Sequence, residues 1–180
     1  PVSGINTLPA NDAVTGILPV NPDNAIITTL KNGLYSLSNK GIYELGSVNN
    51  TIFKNERIYA ATAVNKDWIA LATNNNGVYI TDFRGNIIQS FSQTEGLQNN
   101  NVLSIFSDSQ RNLWLGLDNG IDLITYNSSI KQIKPLLQDG SGYTAISHDN
   151  RLFLGTSNGI FSVPVQPFPD MSFSKGSFTA

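Results

Sequence analysis

The stretch LWLGLDNG, residues 113–120, returns thirty-nine residues later as LFLGTSNG, residues 152–159. Two looser copies precede them, IITTLKNG at 26–33 and LATNNNG at 71–77, the second with one extra Asn. The glycines that end the four copies are spaced 44, 43 and 39 residues apart, and they are Gly33, Gly77, Gly120 and Gly159. A repeat of about forty residues is the sequence signature of a solenoid, a propeller or an array.

Each repeat contains segments with the composition of short strands. The ending glycine opens GLYSLS, GVYITD, GIDLIT or GIFSVP, which predicts a tight hairpin whose turn needs a positive φ. Another strand precedes each copy (AVTGILPV, RIYAATAV, NVLSIFSD, GYTAISHD), and a fourth follows in three of them (IYELG, NIIQSF, IKQIK). Four antiparallel strands per repeat are typical of a propeller blade. A sandwich or a barrel needs no such period, and a parallel solenoid contains no hairpins.

We therefore predict an all-β fold, a β-propeller with four blades of four antiparallel strands. Residues 1–180 are expected to form one propeller fragment. The blade limits are 14–50, 56–93, 100–135 and 143–165. The fourth blade lacks an evident outer strand, so we expect a closing strand from residues 171–178 or from residues 2–6.

Composition agrees with this fold and excludes several functions. The chain has three Glu and ten Ala against 18 Ile and 22 Asn, which favours strands and turns over helices. With 11 basic and 13 acidic residues and no basic stripe, nucleic acid is excluded as a partner. No apolar run approaches the roughly 20 residues of a membrane span. There is no cysteine and one histidine, His148, so we expect no metal or other cofactor.

The aligned copies show a bulky residue two positions before a small one, which places both on one strand face. The bulky position holds Ile27, Trp114 and Phe153, and the small position holds Thr29, Ala72, Gly116 and Gly155. The second copy has Ala70 at the bulky position, and we expect Trp68, two residues earlier on the same face, to supply the bulk there. Such a pair would let a side chain of the next blade dock over the gap. Because LWLGL is apolar on both faces, we expect Trp114 to be buried from both sides. Asp108 is expected to cap the turn after the first strand.

Ligands of propellers bind at loops that a rigid scaffold holds in place. The turns between second and third strands and the connections into the next blade share one face, and their amides suit sugar hydroxyls. The same residues are also ordinary turn formers. The candidate ligand-binding residues are Lys31, Asn32, Asn74, Asn75, Asn76, Gln98, Asn99, Asn100, Asn101, Asp118, Asn119, Ser157 and Asn158. No combination of Ser, His and Asp, and no carboxylate pair, predicts a catalytic site.

Residues 93–124, QTEGLQNNNVLSIFSDSQRNLWLGLDNGIDLI, resemble the two-component regulator propeller repeat. The matching positions are Gly96, Leu97, Asn101, Val102, Ile105, Asp108, Leu113, Trp114, Gly116 and Gly120. Arg111 stands where the family often has Gly, and Leu117 where it often has Thr. The resemblance spans about residues 14–165 and is looser outside this repeat.

The resemblance implies a non-catalytic sensor propeller in the periplasm, as the extracytoplasmic part of a bacterial inner-membrane protein of two-component signal transduction. In such proteins an immunoglobulin-like domain, a membrane helix and a kinase or DNA-binding output follow downstream, and some sense an oligosaccharide. The family's rings are usually larger than four blades, so we expect a partial arc whose open blade faces favour self-association. A protein–protein interaction scaffold is the alternative, and an enzyme is a third possibility that the single histidine disfavours.

Overall fold

The computed structural model describes residues 8–125 and 140–164, which form fourteen strands and one short α-helix. The strands are β1 (Val14–Asn21), β2 (Asn24–Thr29), β3 (Gly33–Ser38), β4 (Gly41–Glu44), β5 (Ile58–Ala63), β6 (Trp68–Thr73), β7 (Val78–Asp82), β8 (Ile87–Phe91), β9 (Val102–Ser107), β10 (Leu113–Leu117), β11 (Gly120–Ile124), β12 (Gly142–His148), β13 (Arg151–Thr156) and β14 (Gly159–Pro164). Helix α1 (Asn50–Glu56) lies between β4 and β5. The chain divides into two compact units, Pro1–Ile124 and Thr125–Ala180.

Consecutive strands pair antiparallel in four separate sheets. The first sheet contains β1–β4 and the second β5–β8; the third contains β9–β11 and the fourth, in the second unit, β12–β14. The predicted all-β fold with one antiparallel meander per repeat is confirmed. The outer strand predicted at 130–134 and the closing strand predicted at 171–178 or 2–6 lie outside the described residues, so the full blade limits stay predictions.

The three sheets of the first unit stack side by side through their first strands. Strand β5 lies against β1 on one side and against β9 on the other, and β9 also contacts β6. The first strand of each sheet is therefore the innermost strand, as in propeller blades.

Helix α1 contributes the centre of the core between the first two sheets. Phe53 is fully buried, and its ring lies edge-on to Tyr79 with centroids 5.8 Å apart. The side chains around it come from both sheets and are Leu18, Ile26, Leu34, Ile58, Ile69 and Leu71. Burial of a Phe side chain stabilises the fold by about 1.5–3 kcal/mol. Residues 51–55 fall between the predicted blade limits 14–50 and 56–93, and the helix was not predicted.

Each described sheet carries a pair of small residues where its first two strands face each other. The facing pairs are Gly16 with Thr28, Ala60 with Ala72, Ser104 with Gly116, and Thr144 with Gly155. A Cβ added to Gly116 would overlap the Ser104 hydroxyl, and one added to Gly155 would lie 2.7 Å from Thr144 Cγ2. At least one member of each pair must therefore be small for the strands to keep their distance.

These pairs correct the predicted alignment of the first repeat. Thr29 Oγ1 donates to the Gly33 carbonyl at 3.0 Å, as Thr73 Oγ1 does to the Gly77 carbonyl at 2.9 Å. The turns of the first and second repeats thus have the same length, one residue longer than LDNG provides. The residue equivalent to Ala72 and Gly116 is consequently Thr28 and not Thr29, and Ile26 replaces Ile27 at the bulky position. Ile27 lies on the opposite face, packed with Tyr35 and Ile42.

Two further expectations about the third repeat were wrong. Gly33, Gly77 and Gly159 have positive φ, but Gly120 is not among the positive-φ residues. Trp114 is 45% exposed, although Leu113 and Leu115 on the opposite face of β10 are fully buried. The reason is that β9–β11 pack one face on the second sheet, while within the first unit no sheet covers the face that carries Trp114.

Candidate ligand-binding turns

The predicted turns and strand entries of the first unit lie at one end of its sheets. We call this region the turn end: the turns β2–β3, β6–β7 and β10–β11 together with the segments that enter β1, β5 and β9. Backbone hydrogen bonds join these parts, since Gly77 N donates to the Asn100 carbonyl at 2.8 Å and Asp118 N to the Asn101 carbonyl at 3.3 Å. The sequence prediction that turns and entries share one face is correct for this unit.

Asp12 holds the first turn. Its carboxylate accepts hydrogen bonds from Lys31 N at 3.1 Å, from Asn32 N at 3.0 Å and from Asn32 Nδ2 at 2.8 Å. Partial burial opposes ionisation of Asp12, but the bonds from Asn32 and Lys31 outweigh it and lower its pKa. Leu34 N, just after the turn, donates to Asn50 Oδ1 at 2.8 Å. Asn32 is therefore occupied by Asp12, while the Lys31 ammonium remains exposed.

Glu56 holds the second turn in the same way. Asn76 Nδ2 donates to Glu56 Oε1 at 2.6 Å, and Asn74 N donates to the Glu56 carbonyl at 3.1 Å. Burial and the negative charge of Glu56 raise the pKa of Tyr79 nearby. The side chain of Asn75 is exposed and makes no hydrogen bond to any residue that the structure describes.

The Asn-rich connection into β9 is held largely by its own hydrogen bonds. Asn100 Oδ1 accepts from Gln93 N at 2.7 Å, and Asn99 Oδ1 accepts from Asn101 N at 2.9 Å. Asn99 Nδ2 also donates to Asn119 Oδ1 at 3.2 Å. Gln98 is bound to Asp122 through its backbone and side-chain nitrogens, at 2.8 and 2.6 Å. These amides therefore shape the turn, and the Asp118 carboxylate above them is exposed.

The fourth candidate turn belongs to the second unit. Ser157 N donates to the Ser141 carbonyl at 3.0 Å, and Asn158 N donates to Thr156 Oγ1 at 3.1 Å. Both side chains are exposed. The structure thus gives this turn the same attachment to the entry of its first strand as in the first unit.

Only part of the candidate set keeps polar groups free for a ligand. In the first unit these groups are the Lys31 ammonium, the Asn75 amide and the Asp118 carboxylate, one on each turn. They offer a cation, a donor and acceptor pair, and an anion, a combination that suits a polar molecule rich in hydroxyl groups. The side-chain amides that fix the turns are those of Asn32, Asn76, Gln98, Asn99 and Asn100.

Asp12 and Glu56 were not predicted as site residues from the sequence. Each residue lies two positions before an innermost strand and bonds a turn about twenty residues later, so nothing local marks its role. The available signal was positional, because Asn100 occupies the same place before β9.

Asp108 caps the turn between β9 and β10, as predicted. Its Oδ1 accepts from Gln110 N at 2.8 Å and from Asn112 N at 2.9 Å, while Oδ2 accepts from Asn112 Nδ2 and Trp114 Nε1 at 2.9 and 3.0 Å. The side-chain bonds from Asn112 and Trp114 lower the pKa of Asp108 from 3.8 to about 2. Arg111 in this turn has φ 63°, which explains why glycine suits its position.

Residues 8–125 and 140–164 contain no cluster of three His, Asp or Glu side chains that could hold a metal ion. Within the same ranges, α1 is the longest α-helix, and no helix has the length and apolar character needed to cross a membrane.

Stacked antiparallel meanders whose first strands lie together define the blades of a β-propeller. The particular kind of blade is given by the third repeat: residues 96–119 match the sequence model of the two component regulator propeller family. The chain therefore carries a two component regulator propeller repeat, and the resemblance is confirmed there. No curated protein sequence matches the chain.

Solved structures show the same fold over nearly the whole chain. The extracellular domain of BT4673 from B. thetaiotaomicron, described as a hybrid two component system, is 24% identical with a TM-score of 0.53, covering 91% of this chain and 23% of that one. A second structure of that domain, described as a one component system, is 21% identical with a TM-score of 0.50, covering 90% and 22%. The chain thus spans less than a quarter of the length of either structure.

Proposed function

We propose that this chain is part of an extracytoplasmic, non-catalytic sensor propeller of a bacterial two-component signal transduction protein. The observation that carries the proposal is the match of residues 96–119 to the two component regulator propeller. The extracellular domain of BT4673, which shares the fold, supports a periplasmic location.

We further propose that the turn end binds the sensed molecule and that this molecule is an oligosaccharide. Support comes from the three exposed groups on neighbouring turns, Lys31, Asn75 and Asp118, on a scaffold fixed by the Asp12 and Glu56 hydrogen bonds. Sugar hydroxyls both donate and accept, so they match a mixed set of charged and amide groups.

Calorimetric titration with a panel of defined oligosaccharides tests the ligand. The triple variant Lys31→Ala, Asn75→Ala, Asp118→Ala should bind at least about tenfold more weakly, because each lost hydrogen bond contributes about 0.5–1.5 kcal/mol. The matched control is Lys40→Ala, Asn39→Ala, Asp67→Ala, which removes the same three side-chain types from exposed positions in turns at the opposite end of the sheets.

Two outcomes would contradict the proposal. Heats no larger than dilution for the whole panel would remove oligosaccharides as ligands. Equal affinities of both triple variants would move the binding site away from the turn end. The location is tested separately in cells that produce the native protein: the propeller should resist protease in intact cells and be digested once the outer membrane is opened.

A further inference from the structure

Tyr59 differs from the other tyrosines of the first unit in having no polar or aromatic partner among the described residues. Tyr35 is buried in the core of the first sheet, and the ring of Tyr79 packs edge-on to Phe53. The Tyr43 hydroxyl donates to a backbone carbonyl of its own turn at 2.8 Å. The half-buried Tyr59 makes no hydrogen bond and no ring contact with any residue that the structure describes. Since buried tyrosine hydroxyls usually find a partner, this phenol is available to a ligand.

A β-bulge sets the position of Tyr59. Ile58 pairs with Thr73 and Ala60 pairs with Ala72, so Tyr59 is the extra residue of β5. Ile58 is fully buried in the core between the first two sheets, which anchors the bulge on one side. Bulges re-aim a side chain and are over-represented next to active sites.

The same bulge occurs at the second residue of the first strand in every described sheet. The extra residues are Thr15, Tyr59, Leu103 and Tyr143. The bulge therefore belongs to the blade, and only the residue type is particular to one repeat. In the first unit, the Thr15 hydroxyl shares a hydrogen bond with the Thr28 hydroxyl at 2.9 Å, and Leu103 is aliphatic. Tyr59 alone places an aromatic ring at this position of the first unit.

Tyr59 lies at the turn end, beside the turn that carries Asn75. The carbonyls of Glu56 and Arg57 both accept from Asn74 N, at 3.1 and 3.3 Å. Tyr59 follows Arg57 by two residues, which span about 7 Å at most. The strands on both sides of β5, which are β1 and β9, belong to the first unit. The neighbours of Tyr59 along the row of innermost strands are therefore described.

Arg57 brings a cation to the same place in a strained conformation. Its backbone has φ 55° and ψ 107°, in the left-handed region that favours glycine. Its guanidinium is exposed and makes no hydrogen bond or ion pair with any described residue. Strained residues cluster at sites that bind ligands. The guanidinium thus offers its five N–H donors close to the Tyr59 ring.

We propose that one sugar ring of the oligosaccharide stacks on Tyr59 while Arg57 donates to oxygen atoms at the edge of that ring, an inference that rests on the proposed function. A pyranose ring carries hydroxyl groups around its edge and C–H groups on its faces. Lys31, Asn75 and Asp118 match only the hydroxyl groups, whereas small-molecule sites are lined mainly by apolar and aromatic side chains with a few polar groups. Tyr59 supplies the apolar contact, and with two side-chain torsions it loses little entropy on binding.

Calorimetric titration of the 180-residue chain with tetrasaccharides of glucose, galactose, mannose and xylose tests the stacking. For each tetrasaccharide that binds, Tyr59→Phe should keep the affinity within about threefold, because the ring remains and at most one hydroxyl contact is lost. Tyr59→Ala should weaken binding at least about tenfold, because the face of the sugar ring is left uncovered. The matched control Tyr43→Ala removes an exposed tyrosine from β4 and should bind like the parent protein.

Proton NMR of the bound tetrasaccharide separates stacking from an effect on folding. The C–H protons of one sugar ring should shift upfield, because they lie over an aromatic face, in the parent protein and in Tyr59→Phe but not in Tyr59→Ala. Arg57→Gly provides a variant that keeps the fold, since glycine accepts the positive φ. Its urea midpoint should be equal to that of the parent or higher, while its affinity should fall about threefold to tenfold.

The outcomes distinguish this inference from the proposed function. Equal affinities of Tyr59→Ala and Tyr43→Ala, or bound sugar protons without an upfield shift, would overturn the role of Tyr59 and leave the oligosaccharide as the ligand. An Arg57→Gly variant that binds as tightly as the parent would remove Arg57 from the site. If none of the tetrasaccharides binds the parent protein, the proposed ligand and this inference fail together.

Discussion

The repeat glycines offer a sharp test, because the structure separates two residues that the sequence aligns. Gly77 has φ 72°, and a Cβ at this position would overlap the carbonyl of Phe91. Gly120 has no positive φ, and the nearest atom to an added Cβ is Gln98 Oε1 at 3.6 Å, an ordinary contact. Alanine should therefore be damaging at Gly77 and harmless at Gly120.

The magnitudes follow from separate contributions. For Gly77→Ala, the left-handed backbone costs about 1–2 kcal/mol, and displacing the Phe91 carbonyl adds about 1–3 kcal/mol. The less flexible unfolded chain returns about 0.4–1 kcal/mol, so the free energy of unfolding should fall by about 1–4.5 kcal/mol. For Gly120→Ala only the last contribution applies, and the protein should be unchanged or more stable by up to about 1 kcal/mol.

Urea unfolding followed by far-ultraviolet circular dichroism measures both variants. With an m value of about 2 kcal/mol/M, the midpoint should fall by about 0.5–2 M for Gly77→Ala and should not fall for Gly120→Ala. Equal losses at the two positions would refute this account. They would mean that the glycine is required by something common to every repeat and not by the local φ and the Phe91 carbonyl.

Three further predictions concern the core, the Asp108 turn and the second unit. Phe53→Ala should destabilise the protein by about 3–5 kcal/mol in the same urea assay. The matched change at its exposed neighbour, Ile52→Ala, should cost no more than about 0.5 kcal/mol. Similar losses for the two variants would contradict the position of α1. Because the pKa of Asp108 is lowered to about 2, the contribution of its carboxylate to stability is complete above about pH 4 and is lost as the pH falls through about 2. The NMR signal of the Trp114 indole N–H should therefore shift with a midpoint near pH 2. A midpoint near pH 4 would exclude the hydrogen bond between Asp108 and Trp114. Asp149 and Asn150 both have positive φ, which indicates a type I′ turn between β12 and β13. Asn150→Gly should stabilise this hairpin by about 0.5 kcal/mol, which would slow hydrogen exchange of the β12 and β13 amides roughly twofold. Faster exchange in these strands would argue against a type I′ turn.

The strands were predictable because their signals are local. RIYAATAV contains β5 (Ile58–Ala63), and NIIQSF contains β8 (Ile87–Phe91). Short segments of alternating apolar and polar residues, bounded by turns rich in Asn and Gly, can pair as strands in few ways other than with the next segment along the chain. The repeat then arranges these hairpins in order, and the third repeat identifies the kind of blade.

Register and long-range contacts were not predictable from the same signals. The slip between Ile26 and Ile27 depends on one residue of turn length, and both residues are isoleucine, so composition could not reveal the error. The exposure of Trp114 depends on whether another part of the structure packs on its face of β10, and the apolar run LWLGL does not indicate this.

The candidate site was predicted at the level of turns and not of individual groups. Asn32 and Asn76 stand in the expected places, but their amides are occupied by Asp12 and Glu56 from distant parts of the sequence. Asn residues in a turn look alike in sequence whether they bind a ligand or a carboxylate, because both uses need the same donor and acceptor.

The hydrogen bonds of the turn end have a direction along the chain. Leu34 N, after the first turn, donates to Asn50 at the start of α1, and Gly77 N, in the second turn, donates to Asn100 before β9. The first and second turns are thus joined to the chain that leads into the following blade. A molecule that displaced one of these turns by a fraction of an ångström would therefore also move the start of the first strand of the next blade. Ligand binding at one blade would in this way be mechanically coupled to the blade that follows it.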